Sequence, residues 1–455
     1  MNTQGRTHSV WLWFGAAIIA VVLLLAFGAL GSWLWSETHQ PNIVEPPPAP
    51  FAMLMRPIPN GPGASLLRRG RYLVIAGDCA SCHTRAGGRP FNGGRGLRTP
   101  FGTIYTPDIS GDTATGIGKW TQPQFFRALN DGVAANGTHL YPAFPFPHFT
   151  IISREDSDAI LAYLKTVPGV ADTPPANRLP FPINLRISAA AWQVLFFRSH
   201  GFHPDKSKSA AWNRGAYLVE GPEHCGACHT PKNLFGAENK SRLLQGATLD
   251  NWVAPDLTGN PRMGLGRWSP AEIVEFLKTG RNVHSDAAGT MAEVVSYSTS
   301  QLSDGDLKAI AAYLKDIPAS TTKEPDAPDT KALKTGAAVY FDSCTACHYV
   351  RGQGSPRFFP PLAGSAITQQ SDPTGVIRLT LAGGRAGPTP TRPSPVSMPA
   401  FAWKLTDQQV ADVVTYIRNS WGNRASSVSA HDVAKLRESL SLVRALDQHD
   451  RSVSN

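Results

Sequence analysis

The feature that most constrains this chain is a short pattern of cysteine and histidine that occurs three times. All six cysteines of the 455 residues fall into Cys-x-x-Cys-His motifs, and none is left over for a disulfide. Two thiols one helical turn apart can add to the two vinyl groups of a haem, while the adjacent histidine reaches the iron. A zinc site would need four ligands, and a redox dithiol does not require the trailing histidine. The sequence therefore predicts three covalently bound haem c groups, held by Cys79, Cys82, Cys225, Cys228, Cys344 and Cys347.

The motif histidines are the predicted proximal iron ligands: His83, His229 and His348. A methionine on the other side of the iron raises the reduction potential, and we expect such a ligand tens of residues downstream of the motif. The chain has only six methionines, and Met291 follows Cys225 by 66 residues while Met398 follows Cys344 by 54. We predict that Met291 and Met398 are the sixth ligands of the second and third haems.

The first motif departs from this pattern. A comparable distance from Cys79 leads to Phe144 in LYPAFPFPHF, a side chain with no donor atom for iron. We predict His148, four residues after Phe144, as the sixth ligand here. Bis-histidine ligation would then give this haem a lower potential than its neighbours. The alternatives are an open, five-coordinate iron or ligation by His139, Met53 or Met55.

The N-terminal segment predicts a membrane anchor. From Trp11 to Trp35 the chain carries no charge, and about 20 apolar residues in a helix cross a bilayer core. Arg6 before the segment and Arg56 after it favour a cytoplasmic N-terminus. A cleaved signal peptide is the alternative, since Ala29-Leu30-Gly31 offers small residues near a cut. We expect a single span in the inner (cytoplasmic) membrane.

A repeat of roughly 100 residues occurs three times and indicates duplicated units. Each repeat begins with a glycine on a short helical pattern, continues into a Cys-x-x-Cys-His motif, and ends in an apolar-periodic helix that carries a tyrosine. The predicted segments are an anchor (10–35), a Pro-rich spacer (36–63), unit 1 (64–171), a linker (172–208), unit 2 (209–320), unit 3 (330–422) and a tail (423–455).

Composition excludes several other functions. The net charge of +9 comes without a dense Lys/Arg run or aromatic-basic interleaving, so no nucleic-acid binding is expected. The chain has no Gly-rich nucleotide loop, no P-loop and no serine-type triad motif. We therefore expect no substrate chemistry of its own.

The three motif units, the segments LYPAFPFPHF, GIGKW and GLGRW, the connection LPFPINLR and the stretch WNRGAYLVEGPEHCGACHTP together resemble one family. This family comprises the triheme cytochrome c subunits of bacterial membrane-bound alcohol, gluconate and sorbitol dehydrogenases, with the similar cytochromes of periplasmic molybdenum hydroxylases of the nicotinate and aldehyde dehydrogenase type. Alcohol-dehydrogenase-type members carry methionine where this chain has Phe144, which favours the molybdenum-hydroxylase branch.

The resemblance implies an all-α fold, with three tandem cytochrome c-type haem domains behind the N-terminal transmembrane helix. In cytochrome c folds the first and last helices of a domain cross where a small residue contacts an aromatic one. Covalent haem attachment on the periplasmic side of bacteria implies that the haem domains face the periplasm.

The resemblance also implies an electron relay. A catalytic subunit of molybdenum, quinoprotein or flavoprotein type would pass electrons to the haems, and these would deliver them to ubiquinone or a terminal oxidase. Two alternatives remain open. One is a peroxidase-like haem enzyme that uses an open first haem; the other is an oxidase-linked shuttle without a dedicated dehydrogenase.

Overall fold

The computed structural model describes residues 51–169 and 171–440, which form short helices joined by long irregular segments. The first part of the chain contains α1 (Phe51–Leu54), α2 (Ala64–Ala76), α3 (Cys79–His83), α4 (Gln122–Asp131), α5 (Phe146–Phe149), α6 (Arg154–Leu164) and α7 (Arg186–Phe196). The middle part contains α8 (Ala210–Glu220), α9 (Gly226–His229), α10 (Pro270–Thr279), α11 (Thr290–Tyr297) and α12 (Asp304–Asp316). The last part contains α13 (Thr330–Ser343), α14 (Thr345–His348), α15 (Thr374–Ala382), α16 (Asp407–Arg418) and a helix over 430–440, α17. Short 3₁₀ turns lie at Lys240–Arg242, Thr299–Gln301 and Ile367–Gln369.

Three helix pairs form the framework: α2 with α6, α8 with α12, and α13 with α16. Each pair crosses at a glycine of the first helix, where a β-carbon would overlap a backbone carbonyl oxygen of the second. The same β-carbon would stand 2.7–2.9 Å from the Cβ of a tyrosine one turn further along. The glycine–tyrosine pairs are Gly70 with Tyr163, Gly215 with Tyr313, and Gly336 with Tyr416. The expected contact between a small residue and an aromatic one is confirmed in all three repeats.

The second helix of each pair begins at a capped end. Ser153, Ser303 and Thr406 are N-cap residues whose hydroxyls accept the backbone N–H of the residue three positions on. Acidic residues in the first turn of α6, α12 and α16 interact favourably with the helix dipole. These local signals fix where each last helix begins, and thus which of its turns meets the glycine.

Three hydrophobic cores lie around the helix pairs. The first core contains Leu73, Phe125 and Ile160, and the third contains Val376, Val410 and Ile417. The second core includes Leu218 and Ile310, but Ala76 from α2 belongs to it as well. The first and second cores are therefore joined by apolar packing. The predicted domain boundaries themselves stay predictions.

The prediction of an all-α fold is wrong in its detail, because three small antiparallel hairpins occur. They are β1–β2 (Gly96–Thr99 with Gly102–Tyr105), β3–β4 (Ala247–Leu249 with Trp252–Ala254) and β5–β6 (Gly384–Arg385 with Ser397–Met398). Strands this short give almost no period-two pattern, so helical periodicity alone missed them. The first two hairpins lie between a haem motif and the loop that faces it.

The predicted transmembrane helix is also corrected. No helix in residues 51–169 and 171–440 is long and apolar enough to cross a membrane. The longest framework helices have 13 or 14 residues and are polar on one face, whereas a bilayer core requires about 20 apolar residues. The segment 10–35 lies outside the described residues. The single N-terminal span, and the inner-membrane location with periplasmic haem domains that depended on it, are not supported and are not retained.

The apolar connection between the first two repeats packs partly on the chain itself. In α7, Ala189 and Gln193 are buried, and Gln193 donates to the carbonyl of Gly132 at 2.9 Å. The opposite face exposes Ile187 and Leu195, each 71% accessible. At the other end of the chain, α17 contributes Val433, Leu436 and Leu440 to the third core.

The helix crossing gives a test of the framework. We expect Gly215→Ala to lower the unfolding midpoint, because the overpacking penalty of about 1–3 kcal/mol exceeds the gain of about 1 kcal/mol in helix propensity. The measurement is thermal unfolding followed by far-UV circular dichroism. Gly201→Ala is the matched control, since a β-carbon there meets nothing within 4 Å. Equal midpoints for the two variants would contradict the close crossing.

Candidate haem sites

The three Cys-x-x-Cys-His motifs lie on short helices that follow the first helix of each framework pair. α3 follows α2 after two residues, α9 follows α8 after five, and α14 follows α13 after one. No disulfide joins any of the six cysteines. Burial raises the pKa of Cys79 to about 12 and that of Cys344 to about 11, so both of these thiols are neutral at ordinary pH. The two cysteines of each motif lie one turn apart.

Each motif histidine is held in one orientation by a proline carbonyl. Because that oxygen can only accept, the ring Nδ1 must donate, and Nε2 keeps its lone pair for a metal. Burial lowers the pKa of all three imidazoles, which favours the neutral form that binds iron. The pairs are His83 with Pro107 at 2.8 Å, His229 with Pro255 at 2.7 Å, and His348 with Pro360 at 3.0 Å. This donor set fits a haem iron at each motif.

Sequence reasoning missed these prolines, although a signal was present. Pro107 lies in TPDISG and Pro255 in APDLTG, two copies of one loop that directly follow β2 and β4. Asp108 and Asp256 in these loops accept the backbone N–H two residues on, at 2.7 and 2.6 Å. The hairpin and the aspartate turn together aim the carbonyl at the histidine. Around Pro360 a single bridge between Ser355 and Phe359 replaces the hairpin.

The two predicted methionine ligands lie in the repeats of their own motifs. Met291 is in the first turn of α11 and packs, partly buried, on a small cluster with Ala292 and Val295. Met398 is in β6, where it pairs with Gly384 and is also partly buried. Thioether ligation at these positions stays a prediction.

The first motif has a different environment. Phe144 packs into the first core, with its ring centroid 5.3 Å from that of Phe149. His148 is buried, and both of its ring nitrogens already have partners. Its Nδ1 lies 3.0 Å from the carbonyl of Glu220 and its Nε2 lies 2.7 Å from the carboxylate of Glu238. The geometry therefore does not favour His148 as a ligand of the first iron, because both of its ring nitrogens are engaged by groups of the second repeat.

Of the alternatives at the first motif, one methionine stands out. Met53 on α1 is partly buried against the first core, to which Cys79 and Phe144 also contribute. Met55 is 48% exposed, and His139 directs Nδ1 to Gln193. Met53 is thus the candidate whose surroundings suit a thioether ligand.

The first and second motifs lie close to each other. α11, which carries Met291, packs against α3 of the first motif. Arg95 connects them, donating to the carbonyl of Ser81 and, at 2.9 and 3.2 Å, to the carboxylate of Glu293. Burial and the nearby Glu293 raise the pKa of Asp78, beside the first motif, to about 8. This region therefore places buried carboxyls and one arginine between two haem sites.

The second and third sites are also neighbours. A β-carbon on Gly387, in the loop that leads to Met398, would overlap the Ser296 hydroxyl and the Ala292 carbonyl of α11. In the described part of the chain, no helix or strand of the first repeat packs extensively against a helix or strand of the third repeat. The second site therefore lies between the other two.

The third motif is the most accessible. None of α14 is buried, whereas His83 and His229 are 9% and 8% accessible. Large apolar side chains are exposed around it: Phe341, Tyr349, Val350, Phe358 and Trp403. A haem bound here would have an edge that another protein could approach.

The repeated motif, its oriented histidine and the crossing helices define a c-type cytochrome, a protein that binds haem c covalently and transfers electrons. Comparison with known proteins gives the same result. Residues 67–168 and 333–421 match the family model "Cytochrome c", and residues 210–314 match "Cytochrome C oxidase, cbb3-type, subunit III".

Similar proteins narrow this class. The gluconate 2-dehydrogenase cytochrome c subunit of Pantoea cypripedii is 42% identical over 400 residues, covering 82% of this chain and 90% of that protein. The cytochrome c subunit of the quinone alcohol dehydrogenase of Gluconobacter oxydans is 41% identical, covering 82% of each chain. The fructose dehydrogenase cytochrome subunit of Gluconobacter japonicus is 35% identical, covering 84% of each chain. This chain belongs to the family of cytochrome c subunits of dehydrogenases, and the resemblance predicted from the sequence is confirmed. The branch within the family stays a prediction.

The Arg95–Glu293 pair gives a test of the contact between the first two sites. We expect Arg95→Met to cost about 3–5 kcal/mol of unfolding free energy, because it leaves the buried Glu293 carboxylate unpaired. Adding Glu293→Gln should restore most of this loss. Burial already raises the pKa of Glu293, so the loss in the single variant should shrink as pH falls towards the ordinary glutamate pKa. The measurement is denaturant unfolding at several pH values, and additive effects would contradict the pairing.

Proposed function

We propose that this chain carries three haem c groups, one at each motif, and relays electrons from the catalytic subunit of a dehydrogenase. The observation that carries the proposal is the threefold repeat of a motif histidine whose Nδ1 donates to a proline carbonyl. The chain's residues attach, orient and enclose the haems, while the bound haem supplies the one-electron chemistry. The catalytic subunit would be of molybdenum, quinoprotein or flavoprotein type, as the family resemblance implies.

The order of the sites supports a linear relay. The second site contacts both neighbours through α11, so electrons would pass between the first and third sites by way of the second. The accessible third motif supports an exchange point with another protein at that end. The family resemblance implies ubiquinone or a terminal oxidase as the final acceptor.

Haem stoichiometry tests the number of sites. We expect three haems per chain by pyridine haemochrome assay and no free thiol in the denatured protein, because all six cysteines would be in thioether bonds. The matched variant Cys344→Ala/Cys347→Ala should bind two haems and also show no free thiol. Two haems with two reactive thiols in the unaltered chain would overturn the proposal of three.

The first iron requires its own test, because Phe144 offers no donor and His148 is engaged elsewhere. We propose Met53 as its sixth ligand. Met53→Ala should create a high-spin haem that binds CO, whereas Met55→Ala, at an exposed side chain, should not. The measurements are low-temperature EPR, which detects the high-spin haem, and CO difference spectra of the purified protein, which detect an open iron.

Two other outcomes of that experiment are informative. If His148→Ala, and not Met53→Ala, opens the iron, then the ligand is His148 and its hydrogen bonds rearrange when haem binds. If the unaltered protein already binds CO at one haem, the first site is open, and the alternative of a peroxidase-like haem enzyme becomes the better description.

A further inference from the structure

Two tyrosines connect the first and second repeats in a reciprocal way. Tyr72 on α2 donates its hydroxyl to Asp306 on α12 at 2.6 Å. Tyr217 on α8 donates its hydroxyl to Asp156 on α6, also at 2.6 Å. The first helix of each repeat thus reaches the last helix of the other. This is the pattern of an isologous, two-fold related interface within one chain.

Each of the two carboxylates is also bound by an arginine of its own repeat. Arg214 donates to both oxygens of Asp306 at 2.8 Å, and Arg69 donates to Asp156. The two aspartate side chains are 14% and 2% accessible, respectively. We name these groups the Asp306 cluster (Tyr72, Arg214, Asp306) and the Asp156 cluster (Tyr217, Arg69, Asp156).

The tyrosines and Asp306 keep the protonation states that these hydrogen bonds require. Burial and the contact with Asp306 raise the pKa of Tyr72 to about 12, and burial and the contact with Asp156 raise that of Tyr217 further. Both phenols therefore remain donors at physiological pH. Burial opposes ionisation of Asp306, but the bonds from Arg214 and Tyr72 outweigh it and keep its pKa below the usual range. Hydrogen bonds to a charged acceptor are among the stronger ones in proteins.

The third repeat lacks this arrangement at the matching positions. Relative to the crossing glycine, Arg69 and Arg214 correspond to Thr335, and Tyr72 and Tyr217 correspond to Ala338. The aspartates correspond to Gln409, three residues after the N-cap. The helix crossing itself is present in all three repeats, so these side chains are not needed to build one. Their presence in two repeats relates to how those two join.

The two clusters flank the region where the first and second motifs meet. Just before the motifs, the carbonyl of Gly77 lies 3.3 Å from Nε2 of His224, and that of Ala76 accepts from Ser298 at 3.2 Å. The helix α11 of the second repeat also packs against α3, which carries the first motif.

We propose that the Asp306 and Asp156 clusters are positioning residues that fix the separation and orientation of the first and second haems. The proposal rests on the proposed haem at each of these motifs. Electron tunnelling falls steeply with distance, so a rigid two-fold contact would keep exchange between these two haems fast. The third haem is then attached to a rigid pair.

The experiment compares Tyr72→Phe/Tyr217→Phe with Tyr340→Phe in the full, haem-loaded chain. The double variant removes one hydroxyl from each cluster, and the control removes a hydroxyl that bonds the Tyr349 carbonyl at 2.7 Å within the third repeat. The readout is circular dichroism in the Soret band of the oxidised protein. Two haems held close in a fixed geometry give a split signal through exciton coupling, and a change in packing elsewhere does not remove it.

We expect the double variant to lose the split signal while the control keeps it, with the same haem content in both. Asp156→Asn/Asp306→Asn should reproduce the loss, which provides a second route if the tyrosine variant binds too little haem. A double variant with full haem content and an unchanged split signal would overturn the positioning role. A low haem count in the unaltered chain would instead overturn the proposed number of haems, so the two failures are distinguishable.

Discussion

The close crossing of the first and last helices at a glycine is the constraint on which the rest of the structure depends. At Gly70, Gly215 and Gly336 a β-carbon would overlap a carbonyl oxygen of the partner helix, so the two backbones touch directly. The first helix of each pair continues beyond this contact, and the haem motif begins within a few residues of its end. A proline carbonyl then fixes the histidine from the opposite side. One contact between two backbones and one between a backbone carbonyl and the histidine ring thus prepare each motif.

The repeats then combine in unequal ways. The first two share apolar packing and reciprocal tyrosine–aspartate contacts, whereas the third contacts the second through the loop that precedes Met398. The helix α11 is central, because it carries Met291, contacts the first motif and receives the third repeat. For an electron carrier this arrangement is functional, since the order of contacts determines the order in which charge can move.

The sequence predicted the parts of the structure that depend on local pattern. The motifs, the terminal helices with Tyr163, Tyr313 and Tyr416, and their contacts with glycine all follow from residue spacing or family resemblance. The carbonyl partners of the histidines were not predicted, although the two similar loops TPDISG and APDLTG carried a signal for Pro107 and Pro255. His148 illustrates a second limit. Its distance along the chain suited the first iron, but its partners Glu220 and Glu238 come from the next repeat, which spacing cannot reveal.

The predicted N-terminal span is not supported, since the described residues provide no helix long and apolar enough to cross a membrane. The short hairpins were missed because two to four residues per strand carry too little pattern. A strand of that length is shorter than the window over which a period can be recognised.

The central claim is that three haems stand in a row with the second in the middle. Anomalous diffraction at the iron edge from crystals of the haem-loaded protein tests it directly, because it locates the irons without any assumption about ligands. We predict three iron positions, one beside each of His83, His229 and His348, with the first and third separated by more than either is from the second. Fewer than three positions, or a distance between the first and third irons that is shorter than the distance of either from the second, would contradict the account.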